Sequence, residues 1–466
     1  MLFMTKSTAR TSALPTRTEV AVVGGGYAGL AAALALHDNG VECLVLEGSD
    51  RVGGRVRSER CDDTVVLDHG GQWVGPTQKR LLALAERFGC ATFPTYNTGE
   101  HLDLWHDGTK RRYDGAGPDG GPGMAGYSAL TDRIDEMAHV IDLDDPAATP
   151  GLAELDSETV ESYLLRTVDD EDARRRFALA VQGVWSTEPQ RISVFHLLFY
   201  VASAGGFEQL METEGCAQER RFLDGAQAPA RAVAAYLGER VALDTAVRTI
   251  EHTADGVRIE TSRGALLADR VVVATPPAAT LGVRFAPALP VARNRWIERS
   301  PMGDVAKMHV VFETPFWRAD GLSGQATVFG DRHVGVVFDN SPRDADRGIL
   351  VCFVYGDRLR SWSELSDEDR RAGIIDTLIE LFGERAANPI DYTEKIWPQD
   401  AWAHGGYAAN PTPGTWLEHG AAGWRSRTGR IHWAGSETAG VWNGYIDGAI
   451  SSGARAADEI MLARRA

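Results

Sequence analysis

The sequence contains few cysteines, and none of them form a recognisable pair. Among its 466 residues there are five, at positions 43, 61, 90, 216 and 352, and no two are spaced as CxxC or CxxxxC. This spacing gives no support to a disulfide framework, a zinc site or a dithiol redox centre. We therefore expect no bound metal and a reducing, cytoplasmic location.

Long apolar runs and an excess of positive charge are also missing. No stretch of about 18 consecutive apolar residues occurs, so we predict no membrane-spanning helix. The formal net charge of -17 argues against nucleic acid and anionic membranes as partners. Residues 1–17 lack an apolar segment of signal-peptide length and are predicted to be a disordered leader. With 44% hydrophobic residues, the chain can bury a large core in two or three domains.

What the sequence does contain is a nucleotide-binding pattern over residues 20–57. An apolar run at 20–23 is followed by Gly24-x-Gly26-x-x-Gly29, an Ala/Leu-rich segment and a second apolar run that ends at Glu47. Gly24 allows a tight turn, Gly26 leaves room for a pyrophosphate, and Gly29 lets the helix lie close to the sheet. Glu47 stands where such folds place a carboxylate for a ribose hydroxyl.

Two further features indicate FAD rather than NAD. A second glycine-rich turn with flanking arginines, residues 48–55, directly follows Glu47, where it would meet a larger cofactor. Near the C-terminus, a short strand at 430–434 leads to a predicted helix at 444–461, whose N-terminus would favour the negative charge of a reduced flavin. Small residues along this helix predict close packing. No second GxGxxG follows an apolar, strand-like run as a nicotinamide site would require, which disfavours an NAD-dependent dehydrogenase.

The order of elements predicts an α/β fold in which a discontinuous, Rossmann-like FAD-binding domain is interrupted by an α+β substrate-binding domain. We assign residues 18–91, 223–296 and 400–466 to the first domain, and 92–222 and 297–399 to the second. Four short apolar runs between 241 and 274 are expected to form a small antiparallel sheet. Residues 367–382 are predicted to form an amphipathic helix.

Together these motifs resemble the flavin-dependent monoamine oxidases, within the wider group that includes polyamine and L-amino acid oxidases. The resemblance extends from about residue 18 to 460. It rests on the dinucleotide unit and on the motifs at 51–55, 70–78, 218–222, 307 with 315–318, 397–414 and 433–438. It implies a soluble enzyme that oxidises a primary or secondary amine to an imine, which hydrolyses to an aldehyde or ketone, while O2 is reduced to H2O2.

The resemblance also assigns roles to individual residues. Lys307 matches a lysine that holds a water near flavin N5, and Tyr407 and Tyr445 match an aromatic cage over the flavin ring. The remaining assignments to FAD are Glu47 at the adenosine ribose, Arg55 near the diphosphate, Gly71, Gln72 and Trp73 along the flavin, Val247 against the adenine, Trp397 and Trp402 beside the isoalloxazine, and Ser436, Gly444 and Ile446 at its ribityl and pyrimidine side. The substrate cavity is assigned to Gly183, Val184, Met211 and Gln218.

The sequence departs from this family at two informative positions. Gly406 stands where the mitochondrial enzymes have a cysteine linked to the flavin, so non-covalent FAD is expected. Ser49 replaces an arginine two residues past the ribose carboxylate, which leaves any cofactor contact from that position open.

Several alternatives remain open from the sequence. An L-amino acid oxidase would need an arginine for the substrate carboxylate, and none can be placed. A polyamine or diamine oxidase would need a distal acid, for which Glu208, Glu212 and Glu214 are candidates. A flavin-binding sensor module would keep the FAD motifs but lose Lys307 and the two tyrosines. The oligomeric state, a homodimer included, is not determined by the sequence.

Overall fold

The computed structural model describes residues 13–61, 65–115, 117–344 and 346–465, so the predicted leader lies largely outside the described residues. The strands, in chain order, are β1 Arg17–Val23, β2 Cys43–Leu46, β3 Ser58–Arg60, β4 Val66–Asp68, β5 Trp73–Val74, β6 Thr92–Pro94, β7 Glu100–Leu104, β8 Lys110–Tyr113, β9 Arg220–Phe222, β10 Val241–Ala242, β11 Val247–Thr253, β12 Gly256–Thr261, β13 Gly264–Val273, β14 Arg284–Ala286, β15 Val305–Phe312, β16 Leu322–Val328, β17 Val336–Asp339, β18 Gly348–Tyr355, β19 Asp391–Ile396 and β20 Ile431–Trp433.

The α-helices, again in chain order, are α1 Tyr27–Asp38, α2 Lys79–Arg87, α3 Met124–Ala138, α4 Leu152–Ser157, α5 Val160–Thr167, α6 Glu171–Trp185, α7 Val194–Ala204, α8 Phe207–Met211, α9 Ala228–Leu237, α10 Pro277–Thr280, α11 Val291–Glu298, α12 Gly356–Ser363, α13 Asp367–Phe382, α14 Ala421–Gly423 and α15 Ile446–Arg465. The helix predicted over 367–382 is therefore present as α13. It begins after Ser366, whose hydroxyl accepts a hydrogen bond from the backbone N–H of Asp369 at 3.1 Å.

The first large sheet has the strand order β10-β2-β1-β13-β12-β11-β14, and β20 also pairs with β13. Strand β1 runs parallel to β2 and β13, as a nucleotide-binding sheet requires. The antiparallel pairing expected between 241 and 274 is present among β11, β12 and β13, whereas β10 pairs parallel with β2. Strand β13 is long enough to pair antiparallel with β12 along its first half and parallel with β1 and β20 along its second half, so these strands extend the nucleotide-binding sheet.

Helix α1 lies buried between this sheet and α15. Its sequence is mostly alanine, leucine and glycine, and nine of its residues are buried. A side chain at Gly453 of α15 would overlap the carbonyl of Ala28, so the two helices are in backbone contact. The close packing predicted from the small residues of the C-terminal helix is thereby confirmed.

The second large sheet has the order β19-β15-β18-β17-β16-β7-β8 and is antiparallel except between β16 and β7. All eight residues of β15 are buried. Met308 and Val310 on one of its faces belong to the apolar core beneath α12 and α13. Lys307 and His309 alternate with them and occupy the opposite face.

Helices α3 to α8 contribute to a third core, which also contains Trp296, Trp416, Trp424 and Trp442. The strands of the first sheet come from 17–46, 241–286 and 431–433, and those of the second from 100–113, 305–355 and 391–396. This alternation agrees with a discontinuous α/β nucleotide-binding unit. The individual domain boundaries remain predictions.

Candidate functional site

A cavity of about 760 Å³ runs between the nucleotide-binding sheet and the second sheet. Every residue assigned above to the cofactor, the substrate or the aromatic cage lines this cavity, with the exception of Gly29. The exception has a structural reason: a side chain at Gly29 would overlap the carbonyl oxygen of Gly24. Gly29 therefore closes the turn behind the cavity wall and does not face the cavity.

The two glycine-rich turns face each other across one end of the cavity. Gly26 and Gly53 form an isolated parallel bridge, and the N–H of Gly53 donates to the carbonyl of Gly25 at 2.9 Å. A Cβ on Gly26 would meet only the Cα of Gly54, 3.8 Å away. Helix α1 starts directly after Gly26 and has no side-chain cap, so its first N–H groups are free to bind an anion. This end of the cavity fits a diphosphate.

Glu47 is fixed by three hydrogen bonds at the same end of the cavity. One carboxylate oxygen accepts from the N–H of Gly25 at 2.5 Å, and the other accepts from both the N–H and the hydroxyl of Ser49 at 2.8 Å. A carboxylate has about four acceptor positions, so one remains for a ribose hydroxyl. Ser49, at the position where the family has an arginine, holds this carboxylate.

Arg55 connects the nucleotide-binding loop to the C-terminal segment. Its guanidinium donates to both oxygens of Glu437, at 2.5 and 3.1 Å, and to the hydroxyl of Ser436 at 3.2 Å. It also donates to the carbonyl of Tyr407 at 2.8 Å. Burial favours a raised pKa for Glu437, but the charge and hydrogen bonds of Arg55 hold it below the ordinary value. Sequence reasoning missed Glu437, because nothing local links it to Arg55.

Lys307 projects from β15 into the middle of the cavity wall. Its ammonium donates to the carbonyl of Gly70 at 2.9 Å and to the side-chain oxygen of Gln72. The nitrogen lies 5.6 Å from the ring centre of Trp73 and 5.5 Å from that of Phe353. Burial lowers the pKa of Lys307 to about 7. A sizeable fraction of this amine is therefore neutral at physiological pH.

Tyr407 and Tyr445 reach the same cavity from two C-terminal loops. The hydroxyl of Tyr407 lies 3.4 Å from that of Tyr355, and the ring of Tyr445 lies 6.0 Å from that of Tyr200. Burial raises the pKa of both cavity tyrosines, so their phenols are neutral. Gly444 has φ +81°, and a side chain there would overlap the Tyr200 ring. The supporting tyrosines 200 and 355 were missed, since apolar sequence surrounds both.

Two of the tryptophans that line the cavity, Trp397 and Trp402, contact different glycines. The indole N–H of Trp397 donates to the carbonyl of His69 at 2.8 Å, and the Trp397 ring also packs against Gly70. The ring of Trp402 lies against Gly48, one residue past Glu47, and is 45% exposed. Trp397 is thus on the side of Lys307 and Tyr407, whereas Trp402 borders the ribose-binding end. Its place beside the isoalloxazine stays a prediction.

The other cofactor positions also face the cavity. Val247 begins β11 at the ribose-binding end, while Gly71, Gln72 and Trp73 form the segment beside Lys307. Ile446 opens helix α15, and its side chain lies 3.5 Å from the Cβ position of Gly71. The N-terminus of α15 therefore points at the segment that would contact a flavin ring.

The substrate residues line a largely apolar part of the cavity. Gly183 and Val184 come from α6, and Met211 is the last residue of α8. Gln218 donates to the carbonyl of Leu210 at 3.0 Å, which leaves its own side-chain oxygen buried and without a partner among the described residues. A Cβ on Gly183 would meet nothing within 4 Å. None of the acidic candidates 208, 212 and 214 lines the cavity.

Within the described ranges, no helix is both long and apolar enough to cross a bilayer. The same residues contain no group of three or more His, Cys, Asp or Glu side chains arranged to hold a metal ion. Cys43, Cys90, Cys216 and Cys352 are free thiols, and none of these cysteines lines the cavity.

Comparison with known proteins agrees with this geometry. A family model described as flavin containing amine oxidoreductase matches residues 27–461. Putrescine oxidase of Kocuria rosea is 37% identical over 458 residues, 95% of each chain, and a flavin-containing amine oxidase of Oncorhynchus mykiss is 35% identical over 95% of this chain and 85% of its own. The solved structure of cyclohexylamine oxidase from Brevibacterium oxydans superposes with a TM-score of 0.92 at 30% identity, covering 96% of this chain and all of the other.

Proposed function

Because the chain belongs to the flavin-containing amine oxidoreductase family, we propose that it oxidises a monoamine whose carbon substituent is apolar. FAD is the cofactor, and amine oxidation is the reaction. The observation that carries the proposal is the lining of the cavity: segments 92–222 and 297–399 contribute two charged residues, Lys307 and Lys395, and Lys395 is paired with Asp400 at 2.8 Å. A cyclic or arylalkyl amine matches this lining.

A diamine is the second candidate, because a putrescine oxidase is among the relatives. The distal ammonium of a diamine needs a carboxylate, since an unpaired charge in an apolar pocket is costly. Glu212 follows Met211, but it does not line the cavity, and burial raises the pKa of its carboxyl. The apolar lining therefore favours a monoamine over a diamine.

An amino acid substrate would need a free arginine for its carboxylate. The arginines that line the cavity already have partners. Arg51 donates to the carbonyls of Val56 and Gly54, Arg55 is paired with Glu437, and Arg57 lies 3.6 Å from Glu59. The cavity thus offers no unpaired guanidinium to an amino acid.

The proposed roles of the residues follow from their positions. An amine reacts as the neutral base, and the apolar walls disfavour its charged form. Tyr407 and Tyr445 would orient the amine between their rings, while Lys307 would hold a water at the reacting end. Glu47 and the N-terminus of α1 would bind the ribose and the diphosphate. When bound, FAD supplies the hydride acceptor and passes the electrons to O2, which yields H2O2.

Two finer properties belong to the same proposal. FAD is bound without a covalent link, because Gly406 precedes Tyr407 and no cysteine lines the cavity. Acid precipitation should therefore release yellow flavin into the supernatant, and flavin retained in the pellet would contradict this. The protein acts in the cytoplasm, which the absence of CxxC and CxxxxC spacings supports.

Anaerobic mixing of the yellow protein with an amine panel tests the proposed substrate class. We expect cyclohexylamine and arylalkyl monoamines to bleach the flavin absorbance, and putrescine and L-amino acids to do so far more slowly. If putrescine bleached the flavin faster than the monoamines, the substrate would be a diamine. If no amine bleached the flavin, the chain would be a flavin-binding module without amine oxidation.

A further inference from the structure

A buried polar cluster adjoins Lys307 and consists of His69, His309 and Thr393. His309 follows Lys307 by two residues on β15, so the two side chains share a face of the sheet. Thr393 is opposite His309 in the pairing of β15 with β19 and lies on the same face. The ring of His69 stands edge-on to that of His309, with the ring centres 5.3 Å apart. We refer to these three residues as the histidine cluster.

The histidine cluster contains an unusual number of unpaired polar atoms. Both ring nitrogens of His309, Nδ1 of His69 and Oγ1 of Thr393 are buried and have no hydrogen-bond partner among the described residues. Most buried polar atoms in proteins are hydrogen-bonded, and where protein partners are missing the partner is usually a bound water. Four such atoms side by side therefore mark a site for ordered water.

The histidine cluster also connects the cavity to the protein surface. At its inner end, Lys307 donates to the carbonyl of Gly70, the residue after His69. At its outer end, Nε2 of His69 lies 3.4 Å from a carboxylate oxygen of Glu59, whose side chain is 56% exposed. The histidine cluster thus lies between the amine of Lys307, which faces the cavity, and the carboxylate of Glu59, which faces solvent.

We propose that the histidine cluster is the route by which protons move between Lys307 and solvent, with bound water joining its members and Glu59 exchanging with bulk. This inference rests on the proposed function, because the proton is the one that a substrate ammonium must lose. Its N–H bond breaks, the electron pair stays on the amine nitrogen, and the proton passes to the neutral form of Lys307 and then outward to water.

Neutral imidazole suits this role, since one nitrogen accepts a proton while the other donates one. Burial lowers the pKa of His69 to about 4 and that of His309 well below its ordinary value. The charge of Lys307 acts in the same direction on both rings, so both are neutral imidazoles at neutral pH. The other charged groups that act on the cluster and on Lys307 are Arg57, Glu59, Asp68, Arg221 and Lys395.

Hydrogen exchange at the imidazole C2 position tests the presence of water without any substrate. The holoenzyme would be incubated in D2O and each histidine peptide analysed by mass spectrometry. His196 is a matched control, because it is buried, has an unpaired nitrogen, and burial lowers its pKa to about 4 as for His69. We expect His69 and His309 to exchange about tenfold faster than His196. If His69 and His309 exchanged at the same rate as His196, the histidine cluster would contain no bound water, and the proposal would be wrong.

A second experiment measures proton movement directly. The FAD enzyme would be mixed anaerobically with a substrate amine in weakly buffered solution containing a pH indicator. In the His309→Phe variant we expect proton release to slow by about tenfold while FAD stays bound. If this variant folds poorly, His309→Gln is used instead, with the same expected result. His432→Gln is the control, since His432 is a buried histidine of the first sheet paired with Glu459.

The outcomes separate the two claims. Proton release at the unmodified rate in both His309 variants would refute the proton route while leaving amine oxidation intact. Failure of any amine to bleach the wild-type flavin would refute the function instead, and the C2 exchange experiment would still test whether the histidine cluster holds water.

Discussion

Arg55 and Glu437 form a two-pronged ion pair, with N–O distances of 2.5 and 3.1 Å, although 382 positions separate them in the chain. The pair joins the second glycine-rich turn to the loop after β20. Since Arg55 also donates to the carbonyl of Tyr407, the same guanidinium positions one tyrosine of the cavity. The ion pair thereby fixes the position of the nucleotide-binding loop relative to the tyrosine at the substrate end of the cavity.

The first prediction is that Glu437→Gln lowers the free energy of unfolding by about 3 kcal/mol, because it leaves the Arg55 charge without its partner. Chemical denaturation of the FAD form measures this. The control is Glu418→Gln, which breaks an ion pair with Arg299 in which the Glu418 side chain is 56% exposed; there we expect a loss under about 1 kcal/mol. Equal losses in the two variants would contradict the account.

The same carboxylate predicts a pH dependence of stability. The folded-state pKa of Glu437 is lowered, so its stabilising contribution is present above the unfolded-state pKa and is lost as the pH falls through the folded-state value. The stability difference between wild type and Glu437→Gln should therefore shrink on acidification. Denaturation midpoints measured from neutral to acid pH check this, and a difference that grew toward acid pH would be inconsistent with the ion pair.

Lys307→Met is predicted to slow flavin reduction or reoxidation by about tenfold or more while FAD stays bound. Stopped-flow absorbance resolves the two half-reactions. Lys110→Met, at an exposed lysine of β8 in the same sheet, is the control and should leave both rates unchanged. Unchanged rates in both half-reactions of the Lys307 variant would remove this lysine from the mechanism.

The lowered pKa of Lys307 predicts how the free energy of unfolding changes as the pH rises above neutral. Its folded-state pKa is lowered to about 7, so between that pH and the ordinary lysine value the unfolded chain binds more protons than the folded one. The contribution of Lys307 to stability thus rises with pH across this interval. The stability of wild type relative to Lys307→Met should increase from neutral to alkaline pH, and a relative decrease would show that the buried amine is fully charged.

Two glycines of one motif should respond differently to alanine. In Gly26→Ala the new Cβ has room in the protein but occupies space assigned to the diphosphate, so the chain should fold and bind FAD about tenfold or more weakly. In Gly29→Ala the new Cβ overlaps the backbone of Gly24, so the fold itself should be destabilised. Circular dichroism and flavin fluorescence titration distinguish the two. Full FAD affinity in Gly26→Ala would place the diphosphate elsewhere.

Gly183 is predicted to set the size of the substrate. Gly183→Leu fills open space in the cavity, so it should raise the KM of a bulky arylalkyl amine by about tenfold and change that of a short alkylamine far less. Gly373→Leu, at another glycine with open space but on α13 away from the cavity, is the control. Equal effects on the two amines would show that Gly183 does not face the substrate.

Local signals in the sequence predicted the parts of the site that lie on continuous segments. The glycine turn, the apolar run that ends at Glu47 and the C-terminal helix each have the residue pattern of one element, and the structure contains these elements. The link between Arg55 and Glu437 has no such pattern, because it depends on how two distant loops meet. The supporting tyrosines 200 and 355 and the histidine cluster were missed for the same reason.

The pairing of β13 and the position of Trp402 also could not be predicted from local sequence. Alternating residues predicted the strands between 241 and 274, but alternation does not specify which neighbour a strand pairs with, and β13 changes partner along its length. The resemblance assigned both Trp397 and Trp402 to the isoalloxazine. The short turn after Trp397 carries Trp402 to Gly48, where the absence of a side chain leaves space for the indole, and no local signal in the sequence predicts this contact.

A crystal structure of the FAD complex with a bound amine tests the central claim most directly. We predict the diphosphate at Gly26 and the start of α1, and the flavin ring between Tyr407 and Tyr445, with the Lys307 amine one water from flavin N5. A flavin ring lying away from Lys307 or from either tyrosine would contradict the assignment of this cavity to amine oxidation.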